Sequence, residues 1–350
     1  MSTPSDKRPA HHTDKGFRNL YVTIDKDLSD VFKMRFGDMD WIDPTEEAPL
    51  VPRQPANVES LENPSVDKPQ LTWIGHSTFL IQHRGLNILT DPIFSDRASP
   101  VSFAGPKRYT PPGLTIDKLP PIDIVVISHN HYDHLDLPSL KALGPEITYV
   151  VPLKNGKLLE SVGLDKIHEL DWHESVEIKG VRIHATPSQH WSARGLFDRR
   201  EALWAAFVLE WENFNVFFGG DTGYTQELFQ DIGKRYGPFD AALIPIGAYE
   251  PRWFMKAAHV NPVEAVAIHK DIGSKWSVGI HWGTFPLTAE SPLSPLKNLQ
   301  EALADAGVPA DDFTTLALGE TRQAPIGEES ASDSVIKAND EATVTPEPMQ

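Results

Sequence analysis

Apolar positions in this chain fall in short blocks rather than long helical stripes. Residues 71–74, 79–81 and 87–90 are apolar runs separated by Gly75 and by Arg84-Gly85, the pattern of a β-meander. The run at 122–127 is almost wholly apolar and reads as a buried strand, as does 147–151. Residues 176–178 and 181–185 pair across Lys179-Gly180, and 204–211 pairs with 215–218, as hairpins. Further strands are expected at 241–246, 276–280 and 314–318. Helical spacing appears after 137 and at 155–162, 224–236, 262–270 and 295–306. Pro138 suits the first turn of a helix with Asp136 at its N-cap, and Asn261-Pro262 opens another. Meander, strand and helix, followed by hairpins, strand and helix, predict two sheets, each backed by helices.

The ends of the chain follow no such pattern. Residues 1–20 are polar, and His11-His12 read there as solvated tail residues. Between 19 and 41, Leu20, Val22, Ile24, Leu28, Val31, Phe32, Met34, Phe36 and Trp41 form an apolar arm. That arm is read as packing on the domain, with contact to a partner or membrane as the other reading. Residues 44–69, rich in Pro, Glu and Asn, read as an extended connector. From Gln323 onward Glu, Ser, Ala, Pro and Asp dominate, the composition of a disordered acidic tail. The expected organisation is an arm and connector over 1–69, a catalytic domain over 70–322 and a tail over 323–350.

Composition narrows the function. A net charge of −17 argues against nucleic acid as a partner and gives no general pull toward anionic membranes. No apolar run of about 18 residues exists to span a bilayer, and residues 1–7 lack the apolar core of a signal peptide, so a cytoplasmic protein, at most peripherally membrane-associated, is expected. With no cysteine, any metal must be held by His, carboxylates and water.

The candidate chemistry is concentrated in S-H-N-H-Y-D-H-L-D at 128–136, directly after the strand at 122–127. His129 and His131, two apart on extended chain, point to one side. Asp133 and His134 are adjacent, so they diverge and suit a second centre. Three imidazoles and a carboxylate in six residues are costly to crowd without a cation. Three more strand ends repeat the theme: His190 follows 181–185, Asp221 follows 215–218 among glycines, and His281 follows 278–280. Taken together they fill two sites. His129, His131 and His190 form a tris-imidazole set that leaves zinc an open position. Asp133, His134 and His281 form the second set, and Asp221 bridges them. The expected cofactors are two divalent ions, zinc first, with iron or manganese as alternatives. Two such ions can share a hydroxide and lower its pKa toward neutrality.

The order H-x-H-x-D-H, then His, Asp and His, resembles the metallo-β-lactamase superfamily, which implies an α+β, four-layer αββα sandwich. Longer stretches resemble the N-acyl-phosphatidylethanolamine-hydrolysing phospholipases D. They are T-D-P-I-F-S-D-R-A-S-P from Thr90, G-P-K-R-Y from Gly105, L-P-P-I-D from Leu119, T-P-S-Q-H-W from Thr186, G-D-T-G-Y from Gly220, I-G-A-Y-E-P-R-W-F-M-K from Ile246 and H-W-G-T-F from His281. The likeness runs from about residue 71 to 322. It implies a dinuclear-metal phosphodiesterase releasing phosphatidate and an N-acylethanolamine, with attack of a metal-bridging hydroxide on phosphorus. Asp221 would take the water's proton, Asp133 would serve the same centre, and His259 matches a family histidine near the phosphate. Arg194 and Tyr132 are candidates for substrate contact, and Asp91 for supporting a ligand imidazole. His76 reads as a supporting or structural histidine, and residues 252–255 as a cationic-aromatic stretch lining the cleft or packed in the core. The implied partner is a phospholipid met at a membrane surface, and a homodimer is compatible with it. The alternative reading is another hydrolase on the same metal site, such as a sugar-phosphate lactonase.

Overall fold

The structure is a computed structural model that describes residues 8–26, 28–37 and 41–325. Residues 326–350, most of the expected acidic tail, lie outside the described residues, as do residues 1–7.

Two seven-stranded sheets form the centre. The first contains β1 (Gln70–Gly75), β2 (Thr78–His83), β3 (Leu86–Thr90), β4 (Ile124–Val126), β5 (Thr148–Pro152), β6 (Ile167–Leu170) and β14 (Thr321–Gln323) in the order β14-β1-β2-β3-β4-β5-β6. The second contains β7 (Ser175–Ile178), β8 (Val181–Thr186), β9 (Ala206–Trp211), β10 (Phe214–Phe218), β11 (Ala241–Pro245), β12 (Ser277–Ile280) and β13 (Phe313–Thr314), in the order β13-β12-β11-β10-β9-β8-β7. The helices are α1 (Leu28–Phe36), α2 (Val58–Glu62), α3 (Leu137–Leu143), α4 (Gly156–Glu160), α5 (Gln226–Tyr236), α6 (Arg252–Met255), α7 (Pro262–Asp271) and α8 (Ser294–Ala306).

Alternation along the first sheet explains the layering. Ile88, Ile124, Val126 and Val150 join the core shared with the second sheet. Their chain neighbours Leu89, Val125, Tyr149 and Val151 turn the other way, onto Leu61, Leu140 and Leu159 of α2, α3 and α4. Because both faces are covered, these strands carry continuous apolar runs rather than alternating ones. On the second sheet the amphipathic α5 supplies Leu228, Phe229 and Ile232, and α7 adds Ala265 and Ile268. Asn261 caps α7 in a capping box with Glu264, with Pro262 in its first turn. The expected four-layer α+β sandwich is the fold observed.

The topology then sets the site. Strands β3 to β6 run parallel, as do β10 to β13. Strand β8 is antiparallel to β9, which is antiparallel to β10, so β8 shares their direction. The carboxyl ends of β3, β4, β8, β10 and β12 therefore open on one edge, and residues following each meet there.

Several details differ from the sequence reading. Instead of a strand at 314–318, β13 ends at Thr314, and β14 pairs with β1 through Gln70 and Gln323 to extend the first sheet. The connector holds the short helix α2, with Leu61 fully buried. His11 and His12 are not solvated tail residues. Their Nε2 atoms lie 2.6 and 2.7 Å from the two carboxylate oxygens of Asp171, and the His11 ring stacks on Trp172 at 4.3 Å. This latch joins residues 160 positions apart, so no local pattern announced it. Phe17 is buried beyond it. Asn19 then exchanges hydrogen bonds with the backbone of His190, and Gln189 donates to the Val22 carbonyl at 2.6 Å. Among the described residues no helix is long and apolar enough to cross a membrane.

Candidate metal centre

Residues 128–136 leave β4 as a tight loop in which the amides of His134 and Leu135 both donate to the His131 carbonyl. That turn places His129 Nε2 2.9 Å from His131 Nδ1, and His190 Nε2 lies 3.2 Å from the same atom. Asp221 completes this group. A second group gathers His76, Asp133, His134 and His281. His134 Nε2 is 3.3 Å and His281 Nε2 3.4 Å from Asp133 Oδ2. Asp221 reaches both groups. Its Oδ1 lies 3.1 Å from His281 and its Oδ2 3.2 Å from His134, 3.7 Å from His190 and 3.9 Å from His129.

The outward nitrogens of three candidate ligand imidazoles, His129, His134 and His190, are held from behind. Asp91 accepts from Ser128 N at 2.7 Å, Ser128 Oγ at 2.6 Å and His134 Nδ1 at 2.6 Å. Ser128 Oγ also meets His129 Nδ1 at 2.9 Å, and His190 Nδ1 donates to the Ala258 carbonyl at 2.9 Å. Such partners fix each tautomer and leave the other nitrogen's lone pair facing inward. His76, Asp91 and His281 all have positive φ, at 53°, 34° and 62°, a conformation that costs about 1–3 kcal/mol each and persists only where packing enforces it. Gly220, at φ 54°, lets the Asp221 turn approach Ser128, whose Cβ lies 2.5 Å from where a Cβ would stand on residue 220.

Electrostatics divides the cluster. Burial pulls His131 down to about 3, with the His190 charge adding to it, and pulls His190 down to about 4. Both are therefore neutral, the ligating form. For His281, burial is outweighed by the Asp221 charge and the close approach of the Asp133 and Asp221 carboxylates, which bring it to about 9. Burial is likewise outweighed at His134, which the Asp221, Asp133 and Asp91 charges hold well above its usual value. The protein on its own thus needs protons on His134 and His281 to balance the carboxylates of Asp91, Asp133 and Asp221. A bound cation would replace them. The residues fit a metal on a further ground: His131 Nε2, His134 Nε2, His281 Nδ1 and Nε2 and Asp221 Oδ1 are buried with no hydrogen-bond partner, an arrangement that is costly for polar atoms.

The remaining sequence candidates lie around this cluster. His259, before α7, has Nδ1 3.9 Å from Asp221 Oδ2, and its carbonyl accepts from Arg252 at 3.0 Å. Burial holds its imidazole well below the usual value. Tyr132 donates to the Arg194 carbonyl at 2.8 Å, and the Arg194 guanidinium lies 4.0 Å over the Tyr132 ring while Nη1 donates to the carbonyls of Asn130 and Leu135. Both side chains are thus engaged in the loop that carries the ligands. The Asp136 carboxylate takes the hydroxyls of Ser139 and Ser95 rather than a helix amide. His76, left open by sequence, bonds Asp133 at 3.0 Å, and burial, with the His281 charge adding, pulls it down to about 3. The role of Ser128 carried no signal beyond its place beside His129. Of the cationic-aromatic stretch, Trp253 is half exposed and Met255 buried.

Residues 86–282 match the family model described as a beta-lactamase superfamily domain. A Caenorhabditis elegans protein named N-acyl-phosphatidylethanolamine-hydrolyzing phospholipase D 1 is 45% identical over 72% of this chain and 75% of its own length. A mitochondrial protein of the same activity name from Saccharomyces cerevisiae is 40% identical over 71% of this chain and 55% of its own length. The crystal structure of an isothiocyanate hydrolase from Delia radicum gut bacteria superposes with a TM-score of 0.59, covering 73% of this chain and 99% of that one, at 19% identity.

Proposed function

Because this chain belongs to the beta-lactamase superfamily, and within it to the N-acyl-phosphatidylethanolamine-hydrolysing phospholipase D family, we propose that it hydrolyses N-acyl-phosphatidylethanolamine to phosphatidate and an N-acylethanolamine. The chain is a metal-dependent hydrolase. The observation that carries the proposal is the position of Asp221, whose two oxygens reach both histidine groups within one buried cluster.

In this reading His129, His131 and His190 hold one divalent ion, Asp133, His134 and His281 hold another, and Asp221 serves both. Two such ions, zinc first, supply Lewis acidity toward the phosphoryl oxygens and activation of water near neutral pH. The chain's own residues do the rest. Asp221 accepts the proton of the attacking water as its oxygen bonds to phosphorus in line with the leaving oxygen. His259, kept neutral by burial and with Nδ1 3.9 Å from Asp221 Oδ2, is placed to take up the proton Asp221 has collected while its other ring nitrogen gives one to the departing ethanolamide oxygen. Arg252 fixes His259 through its carbonyl, and Tyr132 and Arg194 brace the ligand loop. Asp91 holds the His134 proton on Nδ1, so that Nε2 stays free to ligate.

The phospholipid is met at a bilayer surface. Among the described residues, the three most exposed large apolar side chains are Phe103 (82%), Leu196 (85%) and Phe197 (93%). Their loops flank the ligand loop: Ser95 bonds Asp136, and Arg194 bonds Leu135 beside it. Apolar tips around a site are the usual sign of an apolar partner. The test is turnover of N-acyl-phosphatidylethanolamine in detergent micelles, with metal content measured on the same sample. Release of both products with about two metals per chain is expected. No turnover by the fully loaded protein refutes the substrate.

A further inference from the structure

A cavity of about 250 Å³ opens beside the ligand loop, apart from the metal cluster. Three lysines face it: Lys15 from the N-terminal arm, and Lys154 and Lys157 from the turn and helix after β5. Among the described residues none of the three pairs with a carboxylate. Lys154 Nζ instead donates to the Lys15 carbonyl at 3.3 Å and lies 5.3 Å over the Phe17 ring. Arg194 is the fourth cation of the wall. Against these stand two carboxylates, and one of them is already engaged: Asp198 accepts from the amides of Arg194 and Gly195 at 2.8–3.2 Å. A cationic cavity is unexpected in a chain of net charge −17. Like charges gathered around one cavity raise its potential and concentrate anions there.

A second observation points to a ligand. Asn130 lines the same cavity and is only 5% exposed; its Oδ1 is sealed inside, while its Nδ2 makes no hydrogen bond among the described residues. A phosphate presents anionic oxygens to ammonium groups and to an amide N–H alike, so it answers both features. The cavity's other wall is the 194–198 loop, whose tip carries the exposed Leu196 and Phe197.

We propose that this cavity is a second anion site, for a phosphate monoester group, distinct from the metal centre and coupled to it. The coupling is short. Asn130 lies between the ligands His129 and His131, and Arg194 binds the Asn130 carbonyl at 3.0 Å while following His190 by four residues. Either a phospholipid headgroup or free phosphate has this chemistry. The lipid source rests on the phospholipid reading above; the anion site itself does not.

The test uses the metal-loaded full chain and the variant Lys15→Ala/Lys157→Ala, two exposed residues outside the catalytic machinery. Titration calorimetry with inorganic phosphate should resolve two classes in the wild type. In the variant, the class at the metal centre should persist and the other should weaken about tenfold or more. Lys15→Arg/Lys157→Arg should restore it, and unchanged turnover of a water-soluble phosphodiester shows that the fold is intact. Phosphatidylcholine vesicles with and without phosphatidate distinguish the sources. Phosphatidate-dependent binding lost in the alanine variant assigns a lipid headgroup; lysine-dependent phosphate binding without it assigns free phosphate. Identical phosphate titrations for wild type and alanine variant overturn the proposal. Failure of N-acyl-phosphatidylethanolamine turnover with the lysine-dependent class intact refutes the substrate and leaves this site standing.

Discussion

Replacing Asp91 by Asn isolates what a residue that touches no substrate contributes to the metal centre. Asp91 is fully buried, and its Oδ2 accepts from both Ser128 Oγ and His134 Nδ1 at 2.6 Å while Oδ1 takes the Ser128 amide at 2.7 Å. An asparagine that keeps the Ser128 amide bond must turn its NH2 toward His134. The imidazole can then only accept at Nδ1, which moves its proton to Nε2, the nitrogen 3.2 Å from Asp221 and 3.3 Å from Asp133. That is the nitrogen that ligates in the proposed centre. A hydrogen bond to a charged group contributes about 1.5–3 kcal/mol, and loss of such a supporting partner lowers metal affinity about 10–100-fold. The loss should fall on the centre that His134 serves and spare the one held by His129, His131 and His190. Elemental analysis after dialysis against graded chelator should therefore find about one metal lost per chain before the second, with turnover recovered at high metal concentration. Equal metal retention and equal turnover in wild type and Asp91→Asn would refute the tautomer argument, and so would loss of both metals together at unchanged thermal stability.

Four further outcomes follow from the same geometry. Asp221→Asn should lower kcat at least about a thousandfold with the circular dichroism spectrum preserved; full retained activity would sink the two-metal reading. Gly220→Ala must fit a Cβ 2.5 Å from that of Ser128 at a positive φ, so a loss of about 1–3 kcal/mol in denaturant unfolding is expected, together with weaker metal binding. Changing Phe103, Leu196 and Phe197 together to Ser should cut vesicle binding by tenfold or more, since burying each contributes roughly 1.5–3 kcal/mol, while hydrolysis of a soluble phosphodiester is unchanged. His83 packs against Trp211 and Phe214 with neither ring nitrogen bonded, and burial, with the Arg84 charge adding, pulls it down to about 4. The unfolded chain takes that proton near pH 6.5 and the folded one only near pH 4, so stability present above 6.5 is lost as the pH falls through this window. His83→Phe should recover up to about 3 kcal/mol of it at pH 4, measured by urea unfolding across that range.

The parts of this protein that its sequence announces are those whose residues lie close together. The candidate ligands of residues 129–134 sit in one loop, and their crowding has no inexpensive explanation but a cation. The strand blocks announced two sheets, because burial on both faces writes itself as unbroken apolar runs. His190, Asp221 and His281 are far apart in the chain, yet each follows a strand, and parallel strands deliver their carboxyl ends to one edge. What stayed hidden joins positions that share no local pattern. His11 and His12 find Asp171 only after the arm has crossed the domain. Strand β14 finds β1 across some 250 residues, with a pairing that a short polar run does not advertise. His76 meets Asp133, Lys15 meets Lys154 and Lys157, and Gly220 meets Ser128 only through the packing of separate elements. Sequence alone thus determined the candidate ligand types, the periodicity of the elements and the order in which they come. Tertiary structure decided the tautomers of His129, His134 and His190, which charges remain without partners, and which residues brace the site. Those depend on distances between segments, which the chain acquires only when its loops close.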